Sequence, residues 1–238
     1  MIPPPANPPN PDRLAIRWTI GNVRQRGYEM LRLSITCASR LFGPLACYLV
    51  CVNSVSLAEA QDRTGELPFA PEWRQVTRAD VPPVLRSHLD GSLIEGMGWK
   101  LAPLRTFPDR YELALDNDCI LWQLPPAMRQ WLESPNGYLF AEDVERCLGS
   151  FDALCPPGAF NAGIRGLPPG QDLSGSLDAV LAERAALLPP GHARVVHEID
   201  EQGLQAAASR RQRPLGLVRN HEVTLCSPFW TRNPELGA

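Results

Sequence analysis

Leu14-Ala15-Ile16-Arg17-Trp18-Thr19-Ile20, closed by Gly21-Asn22, opens the stretch whose reading decides the fold. Branched and aromatic side chains ending on turn formers are the pattern of a strand. Val23 to Leu41 then reads as a helix, with Leu31, Ile35, Ala38 and Phe42 making an apolar stripe and Arg24, Glu29 and Arg32 off it. Gly43-Pro44 stops the helix. Ala46-Cys47-Tyr48-Leu49-Val50-Cys51-Val52 is nearly all apolar, as a strand buried on both faces must be. Strand, helix and strand in this order predict a parallel sheet in an α/β domain.

Outward from this unit the expected elements thin out. Residues 56–72 read as a loop, Trp73–Val76 as a short strand, and Asp80-Val81-Pro82 as a helix start with Asp as cap and Pro in the first turn. Tyr111-Glu112-Leu113-Ala114-Leu115 predicts a strand. Helices are expected at Pro126–Leu132, Ala141–Leu148, Leu173–Leu188 and Glu201–Arg210. Strands are expected at Arg194–Ile199, Leu215–Arg219 and Glu222–Cys226, and Pro156–Gly170 reads as irregular. Residues 1–12 hold six Pro and predict a disordered tail before a single domain over 13–238.

Composition narrows the function classes. The chain has 238 residues, 44% hydrophobic and 21% charged, as in a soluble globular protein. A net charge of -3 gives no basic field for nucleic acid. The longest apolar run, Leu41–Val52, is interrupted by Gly43-Pro44 and too short to span a membrane. Seven dispersed Cys form neither a CxxC nor a zinc-spaced cluster, so free thiols and a cytoplasmic location are expected. No GxGxxG or Walker A pattern is present.

The chemistry concentrates around the strand Tyr111–Leu115. Asp116 and Asp118 stand one residue apart at its end, with Asn117 between them. Two acids at a strand's C-terminal edge can hold Mn²⁺ or Mg²⁺, whose open positions the oxygens of a diphosphate fill; two turn-forming acids are the plain alternative. Gly21-Asn22 is either a nucleotide-contact loop or an ordinary tight turn. Lys100 is the one lysine among 23 basic residues. It or Arg105 can neutralise a diphosphate leaving group, or simply face solvent. Phe160-Asn161-Ala162-Gly163-Ile164 offers an amide for sugar hydroxyls and a glycine for close backbone approach. Glu198, Asp200 and Glu201 precede Gln202 at a strand-to-helix junction, where an acid supplies a base or complements the helix dipole. His221, before the last strand, is a candidate third metal ligand.

Taken in order, Lys100-Leu101, Leu115-Asp116-Asn117-Asp118, Phe160-Asn161-Ala162-Gly163 and Glu201-Gln202-Gly203-Leu204-Gln205 resemble the GT-A-fold glycosyltransferases, closest to the retaining, glycogenin-like family. The resemblance implies a single α/β domain with a mostly parallel central sheet and transfer of a sugar from a nucleotide-sugar donor to an acceptor. It implies a metal and diphosphate held at Asp116 and Asp118. It also implies a sugar and acceptor lined by Asn161, Gly163 and Gln202, with Asp200 or Glu201 facing the reacting centre. The sequence departs from that family in lacking the C-terminal His-x-x-Gly segment and in carrying Glu201 where Asp is usual. A nucleotidyltransferase of related fold, or a binding module with impaired catalysis, are the other classes this pattern allows.

Overall fold

The computed structural model describes residues 11–88, 97–189 and 198–223. Seven strands form one sheet: β1 (Leu14–Ile20), β2 (Cys47–Val52), β3 (Glu72–Gln75), β4 (Tyr111–Leu115), β5 (Tyr138–Glu142), β6 (Phe160–Leu167) and β7 (Leu215–Val218), in the order β3-β2-β1-β4-β6-β5-β7. The run from β3 to β4 is parallel, β6 is antiparallel to both of its neighbours, and β7 returns parallel to β5. The helices are α1 (Gln25–Phe42), α2 (Leu57–Thr64), α3 (Pro83–Arg86), α4 (Pro126–Glu133), α5 (Ser174–Leu187) and α6 (Glu198–Ser209).

Alternation along β1 divides the core. Leu14, Ile16, Trp18 and Ile20 join Tyr28, Leu31 and Ile35 of α1 and Met128 and Trp131 of α4 in one apolar layer. On the other face, Leu49 and Cys51 pack with Leu177 and Val180 of α5 and Leu204 and Ala207 of α6. The result is a sheet covered by helices on both faces. Connections leave β1 towards β2 on one side, while β4 lies on its other side. The gap between the C-terminal ends of β1 and β4 is therefore the switch point, where open α/β sheets form their crevice.

Several expectations fail. Residues 57–64 are helical, because Ser56 accepts a hydrogen bond from the Glu59 amide at 3.1 Å and nucleates a turn inside the expected loop. Residues 138–142 form a strand where a helix over Ala141–Leu148 is expected; β6 and β7 flank it and supply its backbone partners. The Gly- and Pro-rich 156–170 stretch holds β6 itself, which joins the two halves of the sheet. A Cβ on Gly166 would lie 2.7 Å from the Trp131 ring and from Leu139 Cβ, so this glycine is what lets α4 seat against β6. Near residue 80 the cap is Thr77, which exchanges hydrogen bonds with Asp80 across a short 3₁₀ turn, and Pro83 begins α3. Most of the expected strand at 194–199 lies outside the described residues, and its last two residues belong to α6. The expected strand at 222–226 begins in a 3₁₀ turn at Glu222, and 224–226 lie outside the described residues.

Candidate functional site

Asp116 leaves the end of β4 directly into the crevice. Its amide donates to the Gly163 carbonyl at 2.8 Å, which extends the β4–β6 ladder past the strand and lays 161–163 against the acid pair. A Cβ on Gly163 would come within 3.2 Å of Asp116 Oδ2 and 2.7 Å of Asn161 Oδ1. A side chain at 163 would meet the Asn161 amide and crowd the Asp116 carboxylate. Between Leu139 and Ala141 the β5–β6 register shifts, and this bulge re-aims the 161–163 segment.

Lys100 arrives from a 3₁₀ segment, Met97–Leu101, and its Nζ donates to Asp116 Oδ2 at 2.6 Å. The pair is partly open, with side chains 18% and 26% exposed. Burial alone would lower the lysine's pKa, but the carboxylates of Asp116 and Glu201 outweigh it and hold the ammonium well above its ordinary value. Asp118 is pushed up by burial and by neighbouring Asp116, with Lys100 opposing. Glu201, on α6, is fully buried and pushed up to about 7, first by burial and then by Asp116, while Lys100 and Arg165 pull it down. Its Oε1 accepts from Gln205 Nε2, and its Oε2 is buried without a hydrogen-bond partner among the described residues.

Beneath these groups runs a buried ionic layer that the sequence reading missed. Arg165 donates to Gln205 Oε1 and to the Leu104 carbonyl. Burial lowers the pKa of its guanidinium to about 10, but it stays charged at neutral pH. Arg17 Nε lies 3.2 Å from Glu112 Oε1, an ion pair rather than an aligned hydrogen bond, and Arg17 Nη1 donates to the Pro103 carbonyl at 2.6 Å. Glu112 Oε2 accepts from the amides of Thr106 and Phe107 at 2.6 and 2.8 Å. A cavity of about 20 Å³, lined among others by Arg17, Thr19, Lys100, Asp116, Arg165 and Gln205, connects this layer to the acid pair. Its size and polar lining suit one water. Two signals were available in the sequence: a lone Arg inside an apolar strand at 17, and Glu201 with Gln205 at the i, i+4 spacing of one helix face.

The remaining candidates are distributed differently. Asn161 has both ends of its amide engaged, accepting from Gly163 N at 2.7 Å and donating to Asp143 at 3.0 Å, so it shapes the bulge. Asn117 donates to the Gly27 carbonyl at 3.0 Å and ties the acid pair to α1. Gly21 and Asn22 sit at the C-terminal end of β1 beside the Asn53-Ser54 turn; the Asn22 amide meets Ser54 Oγ at 3.3 Å, and a Cβ on Gly21 would collide with Asn53. Both are at the crevice edge.

Arg105 is elsewhere. Its guanidinium donates to the carbonyls of Phe107, Arg110, Pro168 and Gln171. These lie around the start of β4 and the end of β6, the sheet edge opposite Asp116. Asp200 is buried and accepts from the amide and hydroxyl of Ser150, at 2.7 Å each, at the start of the 3₁₀ segment Gly149–Leu154. Gln202 donates to the Cys147 carbonyl at 3.2 Å. His221 follows β7, three strands from β4, about 14 Å at the usual strand spacing. Ligand bonds of roughly 2 Å put it out of reach of the acid pair, and among the described residues no group of three or more His, Cys, Asp or Glu is set to hold a metal. Six cysteines are free among the described residues, and Cys226 lies outside them. No described helix is long and apolar enough to cross a membrane.

No protein-family model matches the chain, and no curated protein matches it. Solved structures do. The galactosyltransferase LgtC, in complex with donor and acceptor sugar analogues, superposes with a TM-score of 0.47 at 14% identity, over 85% of this chain and 72% of that one. The glycosyltransferase GlyE of Streptococcus pneumoniae gives 0.43 at 13% identity, over 85% and 44%. Mouse xyloside xylosyltransferase 1 in its apo form gives 0.53 at 13% identity, over 86% of this chain and 84% of that one. The seven-stranded α/β architecture of this chain is thus that of a GT-A glycosyltransferase fold.

Proposed function

We propose that the chain is a metal-dependent glycosyltransferase that moves a sugar from a nucleotide-sugar donor to an acceptor. The observation that carries this reading is the placement of Asp116 and Asp118 at the C-terminal end of β4, at the switch point, with Lys100 bonded to one of them and the Gly163 backbone against it. The residues fit Mn²⁺ or Mg²⁺ arriving with a diphosphate. The bond from Lys100 goes to Oδ2 of Asp116, and such ions are commonly held by one or two carboxylates plus substrate phosphates and water. When bound, the ion would supply Lewis-acid neutralisation of the departing nucleoside diphosphate.

The chain's own groups share that task. Lys100 keeps a fixed positive charge beside the acid pair, where charge builds on a leaving diphosphate. Gly163 lets the backbone of the bulge lie against Asp116, and Gly21-Asn22 offers backbone at the edge of β1. Glu201 stands behind Lys100 with one free carboxylate oxygen, held in place by Gln205 and, through it, by Arg165. It is the acid best placed to act at the reacting centre, ahead of Asp200, which is committed to Ser150.

The 2.6 Å Lys100–Asp116 pair favours one second reading, a nucleotide-sugar-binding module in which lysine competes with the metal. Turnover separates the two. With Mn²⁺ present, a panel of nucleotide sugars should release a nucleoside diphosphate slowly with at least one donor. A panel that binds without any release supports the module instead. Stronger stabilisation by UTP or GTP than by UDP or GDP would point to a nucleotidyltransferase.

A further inference from the structure

A second site lies away from the acid pair, where the C-terminal end of α6 meets α5 and the Gly149–Leu154 segment. Arg210, Arg211 and Arg213 line a groove of about 450 Å³ there, together with Glu183, Ala207 and the 153–156 stretch. That volume is within the range of small-molecule sites. The charges in it do not cancel. Arg211 pairs with Glu183 at 2.5 Å, whereas among the described residues Arg213 donates to the carbonyls of Arg210 and Gln212 alone, at 2.6 Å. Arg210 lies over the Phe160 ring, 5.2 Å from its centroid, and its Nε is buried with no hydrogen-bond partner among the described residues. Two guanidinium groups thus lack a carboxylate among the described residues, in a chain whose net charge is -3. Cations at a helix C-terminus satisfy the helix dipole, but that role asks for neither a groove nor an orphaned buried donor.

We infer that this groove binds a small phosphorylated anion, with Arg210 and Arg213 gripping the phosphoryl oxygens and Arg211 at the rim. Planar guanidinium forks match phosphate oxygens two at a time, and charge-assisted bonds of this kind are the strong ones. Arg210 links the groove to the candidate active site through the ring it covers. Phe160, under Arg210, is followed directly by Asn161 and the bulge that carries Gly163. An anion drawing on Arg210 therefore bears on the strand that abuts Asp116. The inference stands apart from the proposed activity.

Inorganic pyrophosphate is the probe, titrated into the full chain in EDTA so that the acid pair cannot take it with metal. Saturable binding by calorimetry is expected at constant ionic strength, with Arg210→Ala/Arg213→Ala weaker by at least about tenfold. The exposed Arg213→Ala single change, checked for native circular dichroism, covers the case in which the double change disturbs the fold. Asp116→Asn/Asp118→Asn should bind the probe as the unaltered chain does. No saturable binding, equal affinity in both arginine variants, or loss in the acid variant would each overturn the assignment.

Discussion

On one face of the sheet, Leu14, Ile16 and Trp18 meet Tyr28, Leu31 and Ile35 of α1 in an uncharged, mostly apolar layer, with the Trp18 indole donating to Ser34 within it at 2.8 Å. On the other, Arg17, Glu112 and Arg165 are buried to 2% exposure or less, at neighbouring positions of β1, β4 and β6. The apolar face gains stability roughly in proportion to the area it hides. The ionic patch set among the apolar side chains of the other face does not, because burying a charge costs several kcal/mol that only well-made pairs offset. What the ionic face provides is a fixed set of charges beneath the crevice. Arg165 holds Gln205, Gln205 holds Glu201, and Glu201 stands behind the Lys100–Asp116 pair. A chain needing only a core has no use for this arrangement, which is why we read it as the support of a reactive site.

Breaking the ionic face should cost most. Glu112→Ala leaves Arg17 buried without its carboxylate, so we expect a loss of about 3–5 kcal/mol in urea unfolding. Replacing both partners, Arg17→Met with Glu112→Leu, should restore most of that stability. Failure of the double variant to recover would show that the pair contributes more than mutual neutralisation. On the apolar face, Leu31→Ala should cost about 2–4 kcal/mol through lost transfer and a cavity, while leaving ligand binding in the crevice unchanged. A binding loss as large as that in an acid-pair variant would erase the distinction between the faces.

A smaller effect tests Glu201. Its folded pKa, about 7, lies above the ordinary carboxylate value, so the folded state holds the proton more tightly than the unfolded one. The resulting stabilisation is full below pH about 4.5 and is lost as the pH rises through about 7. Glu201→Gln cannot ionise. The melting-temperature difference between variant and parent should therefore grow in the variant's favour from pH 5 to pH 8. A difference that stays flat across that range would remove the pH dependence from Glu201.

The half of the fold built from local signals was legible in the sequence. The bounds of β1 and β4 match the reading, and those of α1 and β2 differ by a residue or two, because periodicity and turn residues mark them within the segment itself. The β6–β5 pair was not, although β7 matches the strand expected at Leu215–Arg219 to within one residue. Gly163 and Gly166 lower the intrinsic strand preference of β6, and only pairing with β4 and β5 makes it a strand. The acidic run after Ala141 imitated a helix. In the site, Asp116, Asp118, Lys100, Gly163 and Glu201 were legible as residue types in order, and the structure gathers them. Arg105 and His221 were selected for chemistry alone, and the sheet carries them elsewhere. Arg17 and Arg165 were passed over because an arginine in an apolar strand reads as noise until its buried partner, 95 positions from Arg17 in the case of Glu112, is known.

The central claim, that Asp116 and Asp118 hold a divalent ion together with a nucleoside diphosphate, is tested most directly by thermal unfolding with saturating UDP or GDP, with and without Mn²⁺. The parent chain should melt higher only when ion and nucleotide are both present, and Asp118→Asn, with its fold intact, should lose that increment. An increment that survives in Asp118→Asn, or that appears in full without the ion, would contradict the account.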